Sequence, residues 1–246
     1  MDSSSSVIWA RPARATHGPV PSLTRDRIAA VAIELADADG LEAVSMRALA
    51  AALGTGAASL YRYVESKDEL IDLMADAVMG AAMRFGSPAS ADGANGGWRA
   101  HLRSYARGLR AMVRHHPWMV VEGAGRTSLG PNTAAVFEWV LGGLDGLGLQ
   151  VDDMLTMVET VDAFTRGRAL EEVADQDAVR RSGLDNDAWM RQQEPYVRSL
   201  VESGRYPLLS RVILDAEAPH DPERLETAFR RGLELVLEGL ASMLAE

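Results

Sequence analysis

The sequence predicts an all-α protein in two unequal parts. Along its 246 residues, apolar side chains recur at i, i+3, i+4 and i+7 in one segment after another, which is the signature of helices with one buried face. No stretch alternates β-branched and polar residues in the way a half-buried strand requires. The segment GSPASADGANGG, Gly86 to Gly97, has linker composition and marks the boundary between the parts.

Residues 1–21 mix Ser, Pro, Arg and Gly without an apolar period and read as a flexible N-terminal arm. The first domain follows over residues 22–85. Thr24 is placed to cap a helix carrying Ile28, Val31, Ala32 and Leu35 on one face, and Gly40 ends it. Ser45 opens a second helix with Met46, Leu49, Ala50 and Leu53, closed by Gly54. After a turn of four residues, Gly54 to Ala57, the stripe appears a third time as Ala57, Leu60, Tyr61 and Val64. Ser66 and Glu69 have the spacing of a capping box and start a longer helix with Leu70, Leu73, Met74 and Ala77 turned inward.

The second domain, residues 98–246, predicts further helices. They span Trp98 to Arg114, Pro131 to Leu147, Val151 to about Arg181, Asp187 to Glu202, Arg205 to Asp215, and Pro222 to Glu246. On the last of these Leu225, Phe229, Leu233, Val236, Leu240 and Met243 share a face. Gly232 and Gly239 lie seven residues apart on one side. Each costs about 1 kcal/mol relative to alanine in a helix interior, so close approach of another helix is the expected compensation. A subunit interface formed by Phe229, Gly232, Val236, Gly239, Leu240 and Met243 is the natural place for it.

Composition limits the chemistry. There is no cysteine, hence no disulfide and no thiolate metal site. The N-terminus lacks a basic region ahead of an apolar core, and no apolar run reaches the roughly 18 residues of a membrane span. A cytoplasmic protein with no membrane partner is expected. The net charge of −10 speaks against nucleic acid until it is divided by region. Residues 10–67 hold seven basic and six acidic groups, whereas residues from 86 onward hold 17 basic and 24 acidic ones. The acidity belongs to the second domain, and the first is free to meet DNA.

Three short helices with a four-residue turn between the second and third form a helix-turn-helix, the motif lying at about residues 45–64. The third helix begins with small residues, so its first turn can approach base edges closely. Ser59, Arg62 and Tyr63 lie roughly opposite the Leu60–Val64 stripe and offer donors. Arg47 is placed to reach the groove edge, and Lys67 starts the next helix, where free backbone N–H groups also favour a phosphate. Tyr61 lies on the packing stripe. Arg11 and Arg14 in the arm either follow the minor groove or belong to a solvated tail. His115 and His116, adjacent on a helix and about 100° apart, cannot hold one metal ion between them, and no metal or other cofactor is expected.

The stretch SMRALAAALGTGAASLYRYVESKDEL, Ser45 to Leu70, resembles the DNA-binding signature of the tetracycline-repressor (TetR) family of bacterial regulators. That resemblance implies base or groove-edge contacts by Arg47, Ala57, Ala58, Ser59 and Arg62, and phosphate contacts by Tyr61, Tyr63 and Lys67. Ala57 and Ala58 stand where some members carry a polar residue and a proline. The second domain is also similar to the tetracycline-repressor subgroup, in FTRGRALEE (Phe164 to Glu172) and AFRRGLELVLEGL (Ala228 to Leu240). In that subgroup the two helices build a four-helix bundle with a partner subunit, and a magnesium–tetracycline chelate is held in part by a glutamate and histidines. Glu171 falls on the glutamate position. Ala163 stands where one histidine belongs, and GRTSLGP, Gly125 to Pro131, lacks the other, so tetracycline–magnesium is not the expected effector.

Trp118, Trp139, Met119, Met154 and Met157 are residue types of a core, and also of a pocket between helices. Trp118, Trp139, Phe164, Arg168 and Glu171 are the candidate effector residues. Arg168 and Glu171, three apart, either enter such a pocket or pair with each other. The reading is a ligand-responsive homodimeric repressor on a palindromic double-stranded operator, released by an unknown small-molecule effector. A DNA-binding dimer with no small-molecule effector is the alternative. An all-α enzyme is disfavoured, since the sequence offers no nucleophile–base pair, phosphate loop or metal triad.

Overall fold

The computed structural model describes residues 7–11, 23–82, 97–119, 129–215 and 222–244. The linker centre, most of the arm and residues 125–128 lie outside these. Among the described residues the architecture is helical throughout, with no strand.

Helix α1 (Arg25–Asp39) starts where the Thr24 hydroxyl accepts a hydrogen bond from the Arg27 amide at 3.1 Å, and it stops at Gly40, whose φ of 81° side chains rarely adopt. Its buried face, Ile28, Ala29, Ala32 and Ala36, is mostly alanine, which lets α4 (Lys67–Ala82) pack closely on it. Helix α2 (Met46–Ala52) is capped by Ser45 and buries Leu49 and Ala50. Helix α3 (Ala57–Leu60) is shorter than the stripe predicts. After Leu60 the chain tightens, Tyr63 N–H bonding the Leu60 carbonyl at 2.8 Å, and continues as a turn to Val64.

In the second part, α5 (Gly97–His115) packs along the long α7 (Val151–Ser182), with α6 (Pro131–Gly142) beside α4 and α10 (Pro222–Leu240) against α7. α6 ends five residues earlier than the sequence predicts, at a Gly-Gly pair. Helices α8 (Asn186–Glu202) and α9 (Pro207–Asp215) pack on each other and, among the described side chains, bury none. Trp189, Tyr196, Leu208, Val212 and Leu214 stay exposed. One apolar cluster runs from Ile8 through α4 and α5 to Leu240, so α4 belongs to the core of both parts.

Two expectations change. The arm is not flexible throughout: Ile8 to Ala10 form a 3₁₀ turn, and Ile8 is 1% exposed in the core. Five residues are too few to show a period, so the sequence hides this. Gly232 does meet another helix, but within the chain: a Cβ there would sit 2.7 Å from the Phe164 ring of α7. Phe229 and Leu240 are likewise buried inside the single chain, leaving Gly239 and half-buried Val236 and Met243 toward the surface.

Candidate DNA interface and effector crevice

The candidate DNA-facing surface is built on two anchors. Leu60 and Val64 are fully buried and hold the α3 turn in the core beside α2. With them fixed, Arg47, Ala58, Tyr61, Arg62 and Lys67 are exposed, and Ala57, Ser59 and Tyr63 half-buried. The two tyrosines take the opposite parts from those the stripe assigns. Tyr61 is 51% exposed, while Tyr63 packs on the core and its carbonyl accepts from Arg25 Nε at 3.3 Å. The chain tightens after Leu60, where Tyr63 N–H bonds the Leu60 carbonyl, so the helical stripe no longer describes Tyr63.

At the start of α4 the Ser66 hydroxyl accepts from the Glu69 amide at 3.1 Å, and the Glu69 carboxylate accepts from the Glu65 amide at 2.7 Å. This is a capping box displaced by one residue, since the glutamate of the usual motif returns to the capping residue itself. Arg11 forms ion pairs with Glu65 and, at 2.5 Å, with Glu69. It is therefore engaged inside the protein and not extended toward a groove. Arg14 lies outside the described residues.

A crevice of about 300 Å³, counting its open mouth, lies between the two parts. Its walls are Met79 and Ala82 from α4, Ser104, Tyr105 and Met112 among others from α5, and Val136 and Trp139 from α6. His101 stacks on the Trp139 ring at 4.1 Å between centroids, and its Nε2 is 2.8 Å from the Trp139 carbonyl, which fixes the indole. The Tyr105 hydroxyl donates to Asp162 on α7 at 2.8 Å. Burial first, and then the Asp162 carboxylate, push the phenol far above its ordinary value, so it remains a donor at any working pH.

Of the candidate effector residues, only Trp139 lines this crevice. Trp118 is buried elsewhere, its indole N–H donating to Asp37 of α1 at 2.8 Å. Phe164 stacks on Phe229 at 5.8 Å. Arg168 donates to Glu171, whose side chain is 65% exposed, so of the two readings the pair prevails over the pocket. The buried carboxylate is the neighbouring Glu172. Arg110 donates to it from Nε at 3.0 Å and from Nη2 at 2.8 Å, pairs with Glu226, and lies 4.2 Å over the Phe229 ring. Burial alone depresses the guanidinium pKa. The bonds to Glu172 and Glu226 outweigh this, and Arg110 ends above its ordinary value, charged and locked. The signal for Glu172 was present in the sequence: Val161, Thr165 and Ala169 set an inward phase that continues to Glu172 and Val173, not Glu171.

Among the described residues, polar links that join the parts include those of Asp76 and Asp37. Asp76, on α4 and 3% exposed, accepts at the start of α6 from Thr133 N–H (2.8 Å), Thr133 hydroxyl (2.9 Å), Asn132 N–H (3.2 Å) and Asn132 Nδ2 (3.0 Å). Asp37 on α1 binds both His116 Nδ1, at 2.8 Å, and Trp118. His116 thus serves as a tie between the parts.

Comparison with known proteins agrees with this layout. A family profile described as "Bacterial regulatory proteins, tetR family" matches residues 28–74, and one described as "Tetracyclin repressor-like, C-terminal domain" matches residues 90–244. The chain is 38% identical over 240 residues to the HTH-type transcriptional repressor DrrR1 of Streptomyces coeruleorubidus, covering 98% of this chain and 85% of the relative. It is 27% identical over 212 residues to the class A tetracycline repressor protein from transposon 1721 of Escherichia coli, covering 85% and 87% of the two chains. Among solved structures, ActR of Streptomyces coelicolor in complex with actinorhodin is similar at a TM-score of 0.71 and 30% identity, over 92% of this chain and 100% of that one. With a profile that spans more than half of its length and a helix-turn-helix of the matching layout ahead of it, the chain belongs to the TetR family of bacterial transcription regulators, DNA-binding proteins and not enzymes.

Proposed function

We propose that the protein is a homodimeric repressor that holds a palindromic operator and leaves it when a flat aromatic molecule enters the crevice. One observation carries the reading: α4 serves both sites. Its first residue is Lys67 at the DNA surface, and its last turns supply Met79 and Ala82 to the crevice wall and Asp76 to the cap of α6. A ligand that widens the crevice has to displace α4 or α6, and α4 carries the DNA-binding part with it. The walls favour an aromatic guest, with the Trp139 face, the methionines Met79 and Met112, and few polar groups to orient it. The similarity to ActR bound to actinorhodin supports the same class. The enclosed free space is only about 20 Å³, room for little more than a water molecule, so a polycyclic effector enters only by spreading the walls.

Arg47, Ala57, Ala58, Ser59 and Arg62 read the operator in this proposal, with Tyr61 and Lys67 on phosphates and Tyr63 chiefly supporting the turn. The partner subunit meets the exposed stripe Ala163, Gly167, Leu170 and Ala174 of α7 and Leu235 and Gly239 of α10. A Cβ on Gly167 or Gly239 would meet nothing within 4 Å in the single chain, which leaves room for a partner helix.

The test is a gel shift with the DNA upstream of its own gene, titrated with actinorhodin as a first aromatic probe and with tetracycline plus magnesium. Specific binding released by actinorhodin is the expected result. Absence of specific binding at moderate salt, or release that depends on magnesium and tetracycline, contradicts the proposal.

A further inference from the structure

We propose that Arg11 promotes operator binding without touching DNA, by offsetting part of the charge of two carboxylates that otherwise repel the phosphates approaching the start of α4. The inference rests on operator binding by the helix-turn-helix.

The first turn of α4 is a poor anion site as its sequence stands. Free backbone N–H groups and Lys67 attract a phosphate there. Glu65, Asp68 and Glu69 surround that same lysine, so the short segment 65–69 carries three negative charges against one positive. Glu65 is the nearest to solvent of the bridged pair, its side chain 64% exposed, and Glu69 is 16% exposed. Both carboxylates contact one guanidinium, that of Arg11, which is itself only 20% exposed. Enclosed in this way, Arg11 has little surface left with which to reach a phosphate. Its charge is nonetheless delivered to the DNA-facing end of the domain.

The placement of Arg11 is built into the fold. Ile8, in the core, anchors the 3₁₀ turn. Arg25 Nη1 donates to the carbonyls of Ile8 at 3.1 Å and Arg11 at 3.2 Å, and its Nε donates to the carbonyl of Tyr63. A single α1 side chain thereby fastens the arm to the end of the recognition turn. The hydrogen bond to Glu69, the foremost influence on Arg11, raises its pKa further, so the guanidinium stays charged.

Four full-length proteins separate the possible roles: wild type, Arg11→Met, Glu65→Gln/Glu69→Gln, and the triple variant. Operator affinity is measured by fluorescence anisotropy at one moderate salt concentration, with thermal unfolding alongside. Methionine keeps the stem of Arg11 and removes the charge, and glutamine keeps an acceptor for the Glu65 amide. Shielding predicts that Arg11→Met binds about tenfold more weakly, two protomers each losing a solvent-screened charge effect. It predicts that Glu65→Gln/Glu69→Gln binds as tightly as wild type or more tightly, and that the triple variant, with all three charges gone, binds no more weakly than wild type. A direct phosphate contact by Arg11 leaves the triple variant weaker than wild type by the loss seen in Arg11→Met and overturns the proposal. A purely structural strap weakens the double variant as much as Arg11→Met and also overturns it, as does unchanged binding by Arg11→Met. If Arg11→Met does not fold, the double variant alone still decides between shield and strap. Failure of the wild type to bind its operator refutes the DNA-binding reading instead.

Discussion

Replacing Asp76 by alanine tests whether α4 and α6 move as one piece. The carboxylate accepts four hydrogen bonds from Asn132 and Thr133, and Thr133 is 8% exposed. Loss of a helix N-cap costs about 0.5–2 kcal/mol. Leaving buried donors without a charged acceptor costs about 1–3 kcal/mol more. The space vacated lies beside Gly130, whose backbone already approaches Asp76 closely. A water entering it recovers part of the loss, so the expected total is about 1–4 kcal/mol. For a chain of this size that lowers the unfolding midpoint by about 2–15 °C. Denaturant unfolding of Asp76→Ala measures this directly. The second readout is functional: with the cap gone, spreading of the crevice at α6 no longer pulls α4, and more effector is needed to release the operator. A variant within about 0.5 kcal/mol of wild type, a shift typical of an unimportant surface site, refutes the energetic argument. A destabilised variant with an unchanged release curve refutes the coupling.

Arg62→Ala combined with Tyr61→Ala removes exposed groups and leaves the Leu60 and Val64 anchors, so operator binding falls by at least a hundredfold while the circular dichroism melt is unchanged. Glu172→Ala leaves Arg110 buried with only the solvent-exposed Glu226 as partner, and destabilises by about 3 kcal/mol in urea unfolding. Gly232→Ala drives a methyl group against the Phe164 ring and costs about 1–3 kcal/mol, whereas Gly239→Ala leaves the monomer's packing intact and shows its effect, if any, in the dimer dissociation constant by ultracentrifugation. The Glu234 carboxyl, bonded to Arg103 at 2.6 Å, has its pKa held below the ordinary 4.5. Its stabilisation is therefore complete above pH 4.5 and disappears as pH falls through the lower folded value. With the side chain 37% exposed it amounts to less than about 1 kcal/mol. The stability difference between wild type and Glu234→Gln shrinks accordingly on acidification.

What the sequence revealed was what is decided locally. Thr24, Ser45 and Ser66 each bond an amide three residues ahead, so their spacing alone identified the caps. The inward face of α7 was legible in the same way, yet resemblance to the tetracycline-binding subgroup drew attention to Glu171 and away from the buried Glu172. Contacts between distant parts of the chain left no such trace. Trp118 and Asp37 are 81 positions apart, and Arg11 and Glu69 are 58 apart. Nothing in either local pattern distinguishes a partnered side chain from a solvated one. Gly232 falls between these cases: its packing role was legible, but whether the neighbour was Phe164 or another subunit was not.

The length of α4 sets how small an effector-induced motion suffices. Sixteen residues at about 1.5 Å each give a rod of about 24 Å, with the crevice at one end and Lys67 at the other. A tilt of about 10° about its middle moves the crevice end and the DNA end by about 2 Å each. Two protomers doing so in opposite directions change the separation of their recognition elements by about 4 Å, against a required spacing of about 34–36 Å. Hydrogen bonds to base edges tolerate only a few tenths of an ångström, so a tilt of this size breaks readout on at least one half-site. Geometry alone does not release the repressor, however. A ligand that fitted both positions of α4 equally would leave the operator occupied however tightly it bound. The narrowness of the unliganded crevice supplies the missing discrimination. A guest that fits only after α4 has moved away from Trp139 binds the tilted state selectively, and the steric mismatch with the closed state becomes the free energy that drives release.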